Sequence, residues 1–126
     1  MTAAGLVMAA VVASCAPNGD APEQVVDAYL EAYNAADLRG VARTFAPGAI
    51  VPTPRGDLTI NEVLRNYEAN LFGHVPDLRT SVDQRLARGD TVAEMESTTG
   101  INDETFVGLT VYRVSQGCII SMSTSE

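Results

Sequence analysis

The sequence predicts an α+β domain in which N-terminal helices cover one face of a curved, mostly antiparallel sheet. Apolar residues recur at three- and four-residue spacing as far as Phe72, and the period changes to two after Pro76. The turns between the later apolar stretches are short enough for hairpins. A chain of 126 residues has the length of one domain. Helices followed by strands favour a two-layer α+β arrangement.

Three helices are predicted in the first part of the chain. The first begins at Pro22 and is amphipathic, and Asp37 can cap a short second helix. Residues 59–72 form the third. The residues expected on their buried faces are Val25, Val26, Tyr29, Leu30, Tyr33; Leu38, Val41, Phe45; and Ile60, Val63, Leu64, Tyr67, Leu71.

Five strands are predicted. A short strand at residues 49–51 precedes a loop rich in proline and glycine. The others span residues 78–87, 91–99, 105–114 and 118–124, and each is bounded by a turn signal. These connections again favour an antiparallel sheet.

The charge of the chain argues against a nucleic-acid partner. The formal net charge is -8, and all eight basic residues are arginines that occur singly along the sequence. A phosphate backbone is bound by clustered lysines and arginines and repelled by carboxylates. The same distribution offers little attraction to anionic lipid headgroups.

Residues 6–13 form an apolar run that is too short to span a bilayer as a helix. At the end of this run, Val12-Ala13-Ser14-Cys15 resembles the lipobox of bacterial lipoproteins. That resemblance implies a signal peptide at residues 1–14, a lipidated Cys15, a tether at residues 15–22 and a domain at residues 23–126. The protein would then be exported and anchored to the outer face of a bacterial membrane. The alternative is an N-terminal extension with an incidental cysteine.

The cysteine count agrees with this interpretation. Cys15 and Cys118 are the only cysteines. If Cys15 is acylated, Cys118 has no partner, and no disulfide is expected. Cys118 is then a small buried hydrophobic residue in a strand.

Several segments together resemble the nuclear transport factor 2-like, or SnoaL-like, superfamily. They are Tyr29 to Leu38, Phe45 to Ala49, Pro76-Asp77-Leu78, Arg88 to Ala93, and Val111 to Val114 with Gly117. The resemblance covers nearly all of residues 23–124. It implies a cone-shaped α+β barrel in which three helices pack in the bent sheet and leave an apolar pocket at one end. Isomerases, cyclases, dehydratases, binders and oligomerisation domains share this fold.

Four residues of this sequence match catalytic positions of the steroid Δ-isomerase branch of that superfamily. Its oxyanion tyrosine falls on Tyr29 and a supporting tyrosine on Tyr67. The general-base aspartate falls on Thr53, and the protonated aspartate on Thr110. A threonine cannot accept a proton near neutral pH, so steroid isomerisation is not expected.

Other ionisable residues offer little chemistry in the sequence. His74 is expected in a solvated loop, and no second ligand at metal spacing accompanies it, so no metal is predicted. Glu94 and Glu96 share one face of a strand, which we expect to face solvent or a subunit contact, while Met95 is on the other.

The resulting functional expectation is a non-catalytic domain that binds a small apolar molecule in the cone and requires no cofactor. The residues expected to contact the ligand are Tyr29, Thr53, Tyr67, Met95, Thr110 and Met122. One alternative is an isomerase, cyclase or dehydratase that uses Asp57, Glu94 or Glu96 as its acid. Another is a dimerisation module with a filled cone. A homodimer is expected.

Overall fold

A computed structural model describes residues 10–125 of the chain. Within them, the helices are α1 (Pro22–Asn34), α2 (Leu38–Ala42) and α3 (Ile60–Asn66), and a π-helical turn (Tyr67–Leu71) continues α3. The strands are β1 (Phe45–Thr53), β2 (Gly56–Thr59), β3 (Arg79–Arg88), β4 (Thr91–Ile101), β5 (Glu104–Ser115) and β6 (Cys118–Ser125).

The strands form one curved, unclosed sheet in the order β2-β1-β6-β5-β4-β3. The pairing of β1 with β6 is parallel, and the other four pairings are antiparallel. The predicted fold class, with three helices on a curved and mostly antiparallel sheet, is therefore confirmed. The parallel pair joins the first and last strands and buries Phe45 and Ile119 completely.

Local sequence signals explain where the helices begin. At α1, the amide N–H of Ala21 donates to the Gln24 side chain at 2.8 Å. At α3, Thr59 and Glu62 form a reciprocal capping box, with bonds of 3.0 and 3.3 Å. Asp37 caps α2, as predicted, by accepting from the Gly40 N–H at 3.0 Å.

The strand prediction differs from the structure on the N-terminal side of the sheet. The strand expected at residues 49–51 is β1, which begins at Phe45 and is much longer, and the expected loop after it contains β2. The expectation that Phe45 lies on the second helix is wrong, because α2 ends at Ala42. All four β2 residues are exposed, so no alternating apolar pattern marks this edge strand in the sequence.

The segment before α1 is attached to the domain, whereas a tether was expected at residues 15–22. The Ala13 N–H donates to Asn61 Oδ1 at 3.0 Å, and the Cys15 N–H donates to the Phe45 carbonyl at 3.0 Å. The Asn18 N–H likewise donates to the carbonyl of Gln116, in the turn before β6. Residues 1–9 of the expected signal peptide lie outside the described residues.

Cys15 and Cys118 form a disulfide, and both residues are buried. The expectation that Cys118 lacks a partner is wrong. A sulfur in a disulfide cannot also carry a lipid thioether, so Cys15 cannot be the lipidation site in this form of the chain. Sequence separation hid the pairing, because the two residues are 103 positions apart. No helix among residues 10–125 is long and apolar enough to cross a bilayer.

Candidate functional site

A cavity of about 160 Å³ lies between α1, the π-helical turn and the concave face of the sheet. Even-numbered residues form most of its wall on β4 and β5, because alternate residues of a strand point to the same face of the sheet. The lining residues are Tyr29, Leu30, Tyr33, Tyr67, Thr80, Glu96, Thr98, Phe106, Val107, Gly108, Thr110, Tyr112, Met122 and Thr124.

Glu96 supplies the charged group of this cavity. Its Oε2 accepts from the Tyr112 hydroxyl at 2.6 Å, and its Oε1 accepts from the Thr110 hydroxyl at 2.9 Å. Glu96 is the one ionisable acid or base among the described residues that line the cavity, apart from tyrosines. The expectation that the face carrying Glu94 and Glu96 points to solvent is therefore wrong, because the helices cover this face.

Glu94 lies two residues earlier on the same face of β4 and is fully buried. Its Oε2 accepts a hydrogen bond from Arg85 on β3, and Arg85 also pairs with Asp27 of α1 at 2.6 Å. Burial, the largest cause, and the neighbouring carboxyl group of Glu96 raise the pKa of Glu94 to about 7, although Arg85 lowers it.

Two tyrosine hydroxyls face each other in the cavity. The Tyr29 and Tyr67 oxygens are 2.9 Å apart, so one hydroxyl donates to the other. Burial raises the pKa of both tyrosines, so both remain protonated at neutral pH. Tyr67 begins the π-helical turn, and such turns often occur at functional sites.

Threonines make the cavity more polar than expected. The Thr110 and Thr124 hydroxyl oxygens are 3.0 Å apart, and those of Thr80 and Thr98 are 2.8 Å apart. Together with four tyrosines, these side chains line the cavity with hydroxyl groups. The cavity can therefore hydrogen-bond a polar substituent on a small ligand.

The structure brings together four of the six residues predicted to contact a ligand, namely Tyr29, Tyr67, Thr110 and Met122. Thr53 lies outside the cavity in the β1–β2 hairpin, where its hydroxyl donates to the Gly56 carbonyl. Met95 is also outside, because odd-numbered β4 residues face the outer side of the sheet and Met95 pairs there with Leu109.

Sequence reasoning placed Glu96 on the wrong face and did not identify Tyr112 or Thr124. The alternation of β4 groups Glu94 with Glu96, but it does not say which face the helices cover. His74 is exposed, as expected, and so is Asp57. Within residues 10–125, no group of three or more histidine, cysteine or acidic side chains could hold a metal.

Comparisons with known proteins agree with this fold. The family model described as a SnoaL-like domain matches residues 26–122. An NTF2-like protein of unknown function from Cytophaga hutchinsonii superposes with a TM-score of 0.71 at 15% identity, covering 86% of this chain and 91% of the other. No curated protein matches the sequence significantly.

Two further structural neighbours carry functional descriptions. A proposed ketosteroid isomerase from Kribbella flavida has a TM-score of 0.70 at 20% identity, covering 82% of this chain and 75% of the other. A proposed polyketide cyclase from Sinorhizobium meliloti has a TM-score of 0.66 at 15% identity, covering 81% and 94%. At these identities the likeness shows the fold alone.

Proposed function

This chain belongs to the SnoaL-like domain family, and on that premise we propose that it transfers a proton on a small neutral molecule held in the cavity. The observation that carries the proposal is the carboxylate of Glu96, which lines the cavity and is oriented by two hydroxyl groups. A positioned carboxylate within reach of a bound molecule can act as a general base.

The cavity limits the ligand by size and charge. A cavity of about 160 Å³ accommodates roughly one six-membered ring, since an engineered cavity of about 150 Å³ binds benzene. A four-ring steroid exceeds this space. Arginines are absent from the described cavity lining and Glu96 is present, so a negatively charged ligand would be repelled.

Five polar side chains have a role in the proposed reaction. Glu96 takes a proton from a carbon next to a carbonyl group and returns it to the product. Tyr112 and Thr110 fix the carboxylate in place. Of the Tyr29 and Tyr67 hydroxyls, one donates a hydrogen bond to the other. The hydroxyl that accepts this bond still has its own proton, which it donates to the ligand oxygen on which negative charge develops.

Deuterium exchange tests this proposal without knowledge of the natural substrate. Cyclohexanone in D₂O exchanges its α-hydrogens, and proton NMR follows the loss of signal. We expect the wild-type protein to accelerate this exchange and Glu96→Gln to lower the protein-dependent rate by about 10²–10⁴-fold. Glu68→Gln, at an exposed position outside the cavity, is the matched control and should behave as wild type.

The same samples distinguish the other candidate functions. Thr124→Phe fills the cavity from an exposed position and should abolish both cyclohexanone binding and exchange. Binding by the wild type with no more exchange than Glu96→Gln would contradict proton transfer and favour a non-catalytic binder. If the wild type does not bind the ketone, a dimerisation module becomes the better interpretation.

We also propose that the protein is exported. The apolar run at residues 6–13 has the length of a signal-peptide core, and disulfides persist mainly in oxidising compartments outside the cytosol. The disulfide replaces lipidation as the role proposed for Cys15.

A homodimer through the outer face of the sheet is proposed as well. Leu86 and Leu109 are 72% and 39% exposed, and Met95 lies beside Leu109. Exposed apolar patches of this kind favour protein contacts. Light scattering should give a dimeric mass for the wild type and a monomeric mass for Leu86→Glu, and a monomeric wild type would contradict the proposal.

A further inference from the structure

One carboxylate oxygen of Glu94 is buried without a partner within residues 10–125, and the proposed reaction gives it no role. The residue is fully buried, and its Oε2 bonds Arg85. Its Oε1 is buried without a hydrogen-bond partner among the described residues. An ionised carboxylate with an unpaired buried oxygen is costly, whereas a protonated oxygen can itself donate a hydrogen bond.

The charges around Glu94 do not balance if every acid is ionised. Among residues 10–125, Arg85 is the one cation in contact with Glu94, and it also binds Asp27, whose side chain is 64% exposed. Glu96 lies on the same face of β4 and adds a third carboxyl group. One guanidinium therefore pairs with two carboxyl groups, and a third carboxyl group, that of Glu96, lies next to Glu94 on the same face of β4. Neighbouring carboxylates in a shared site do not readily both ionise.

We propose that Glu94 retains a proton and shares it with Glu96, so that the two side chains act as one acid–base pair with a single negative charge. This deepens the proposed function and rests on it for the role of Glu96 as the base. Glu94 does not contact the ligand, so it is a positioning residue. Its Oε1–H donates to Glu96 and holds that carboxylate beside the cavity.

The proton balance of the pair is simple. Before reaction, Glu94 is a carboxylic acid and Glu96 is a carboxylate. When Glu96 takes the proton from the ligand carbon, both are neutral acids, and the negative charge moves to the ligand oxygen. Return of the proton to the ligand restores the singly charged pair, and no oxidant or co-reactant is needed.

The groups that face Glu94 come from each element packed against it. They are Arg85 on β3, Asp27 on α1, Glu96 on β4 and Tyr112 on β5. Burial raises the pKa of Glu94 to about 7, and this agrees with a retained proton. The pKa of Tyr112 is raised by burial and by Glu96, so Tyr112 remains a donor and supplies no negative charge at neutral pH.

Carbon-13 NMR of protein labelled at the glutamate side-chain carboxyl carbon tests the pair directly and needs no ligand. We expect one glutamate signal of the wild type to titrate near pH 7. Glu94→Gln should remove that step. Glu96→Gln should move it down by roughly one pH unit or more, because the neighbouring carboxyl that opposes ionisation is gone. Circular dichroism checks that both isosteric variants are folded, and Glu68→Gln should leave the step unchanged.

Asp27→Asn provides a surface variant that does not disturb the buried groups. It removes one negative charge, so that Glu94 is the only carboxylate bound to Arg85 among the described residues. Arg85 then stabilises ionised Glu94 more strongly, and the step should move down by roughly 0.5–1 pH unit. Glu96→Gln is the variant that tests the pairing itself, because a Glu94 that titrates independently of Glu96 would keep its step there. The proposal is overturned if the wild type has no glutamate step above the usual range, or if the step survives in Glu94→Gln. A confirmed step with no ketone exchange would retain the pair and reject its catalytic use.

Discussion

Tyr112 belongs to both the hydrophobic core and the candidate site. Its side chain is 1% exposed, and its ring packs 5.8 Å from that of Tyr29, while its hydroxyl donates to Glu96. A buried tyrosine needs a partner for its hydroxyl, and Glu96 provides one. The packing of a single residue therefore fixes the direction of the carboxylate, so the geometry of the site depends on the core.

Glu94 should make the stability of the protein depend on pH. Its pKa in the folded state is raised from 4.5 to about 7, so the folded chain binds this proton more tightly than the unfolded chain. The contribution is therefore fully present below about pH 4.5 and is lost as the pH rises to about 7. The free energy of unfolding should decrease by about 1–3 kcal/mol over this range because of Glu94.

Urea unfolding at several pH values measures this effect. Between pH 4.5 and 7, the free energy of unfolding should decrease less in Glu94→Gln than in the wild type. In Glu68→Gln it should decrease as much as in the wild type. The same pH dependence in Glu94→Gln and wild type would show that another group is responsible.

Among the strands, β4 contributes residues to the hydrophobic core, to the cavity and to the outer face of the sheet. Its even-numbered residues include Val92 in the core and Glu96 in the cavity, whereas Met95 faces outward. The strand ends beside Gly100, whose φ of 99° lies in a region that residues with a side chain rarely adopt. A Cβ at this position would meet the backbone carbonyl of Asp77.

Gly100→Ala should therefore destabilise the domain. The methyl group would force both an unfavourable φ and a clash with backbone that cannot easily move, so a loss of about 1–3 kcal/mol in the free energy of unfolding is expected. Gly48→Ala is the matched control, since a Cβ there meets nothing within 4 Å. Thermal and urea unfolding of the two variants provide the comparison, and equal stabilities would contradict the structural reason.

At the scale of the whole molecule, the disulfide joins the segment before α1 to the start of the last strand. The linkage closes a loop with a sequence separation of 103 residues. Cross-links that close long loops restrict the unfolded chain most. The segment around Cys15 is thereby fixed along β1 and the turn before β6.

Cys15→Ser and Cys118→Ser should each lower the free energy of unfolding by about 2–5 kcal/mol, because either change breaks the same bond. Unfolding under oxidising and reducing conditions measures this, and both variants should be insensitive to reductant. Membrane partitioning in a bacterium is the opposing test. Partitioning lost in Cys15→Ser but kept in Cys118→Ser would contradict the disulfide role and favour lipidation of Cys15.

The fold class, the three helices and the four long strands could be predicted from the amino-acid sequence, because periodicity and capping residues act locally along the chain. The sequence also identified Tyr29, Tyr67, Thr110 and Met122, which do line the cavity. Alternation showed that Glu94 and Glu96 share a face of β4, and this grouping is correct.

Which face of β4 the helices cover depends on long-range packing, and this packing places Glu96 in the cavity and Met95 outside it. The same holds for the pairing of Cys15 with Cys118 and for the exposed β2 edge strand. Each depends on contacts between residues far apart in the chain. Local patterns restrict which residues share a face, but burial of that face depends on how the whole chain packs.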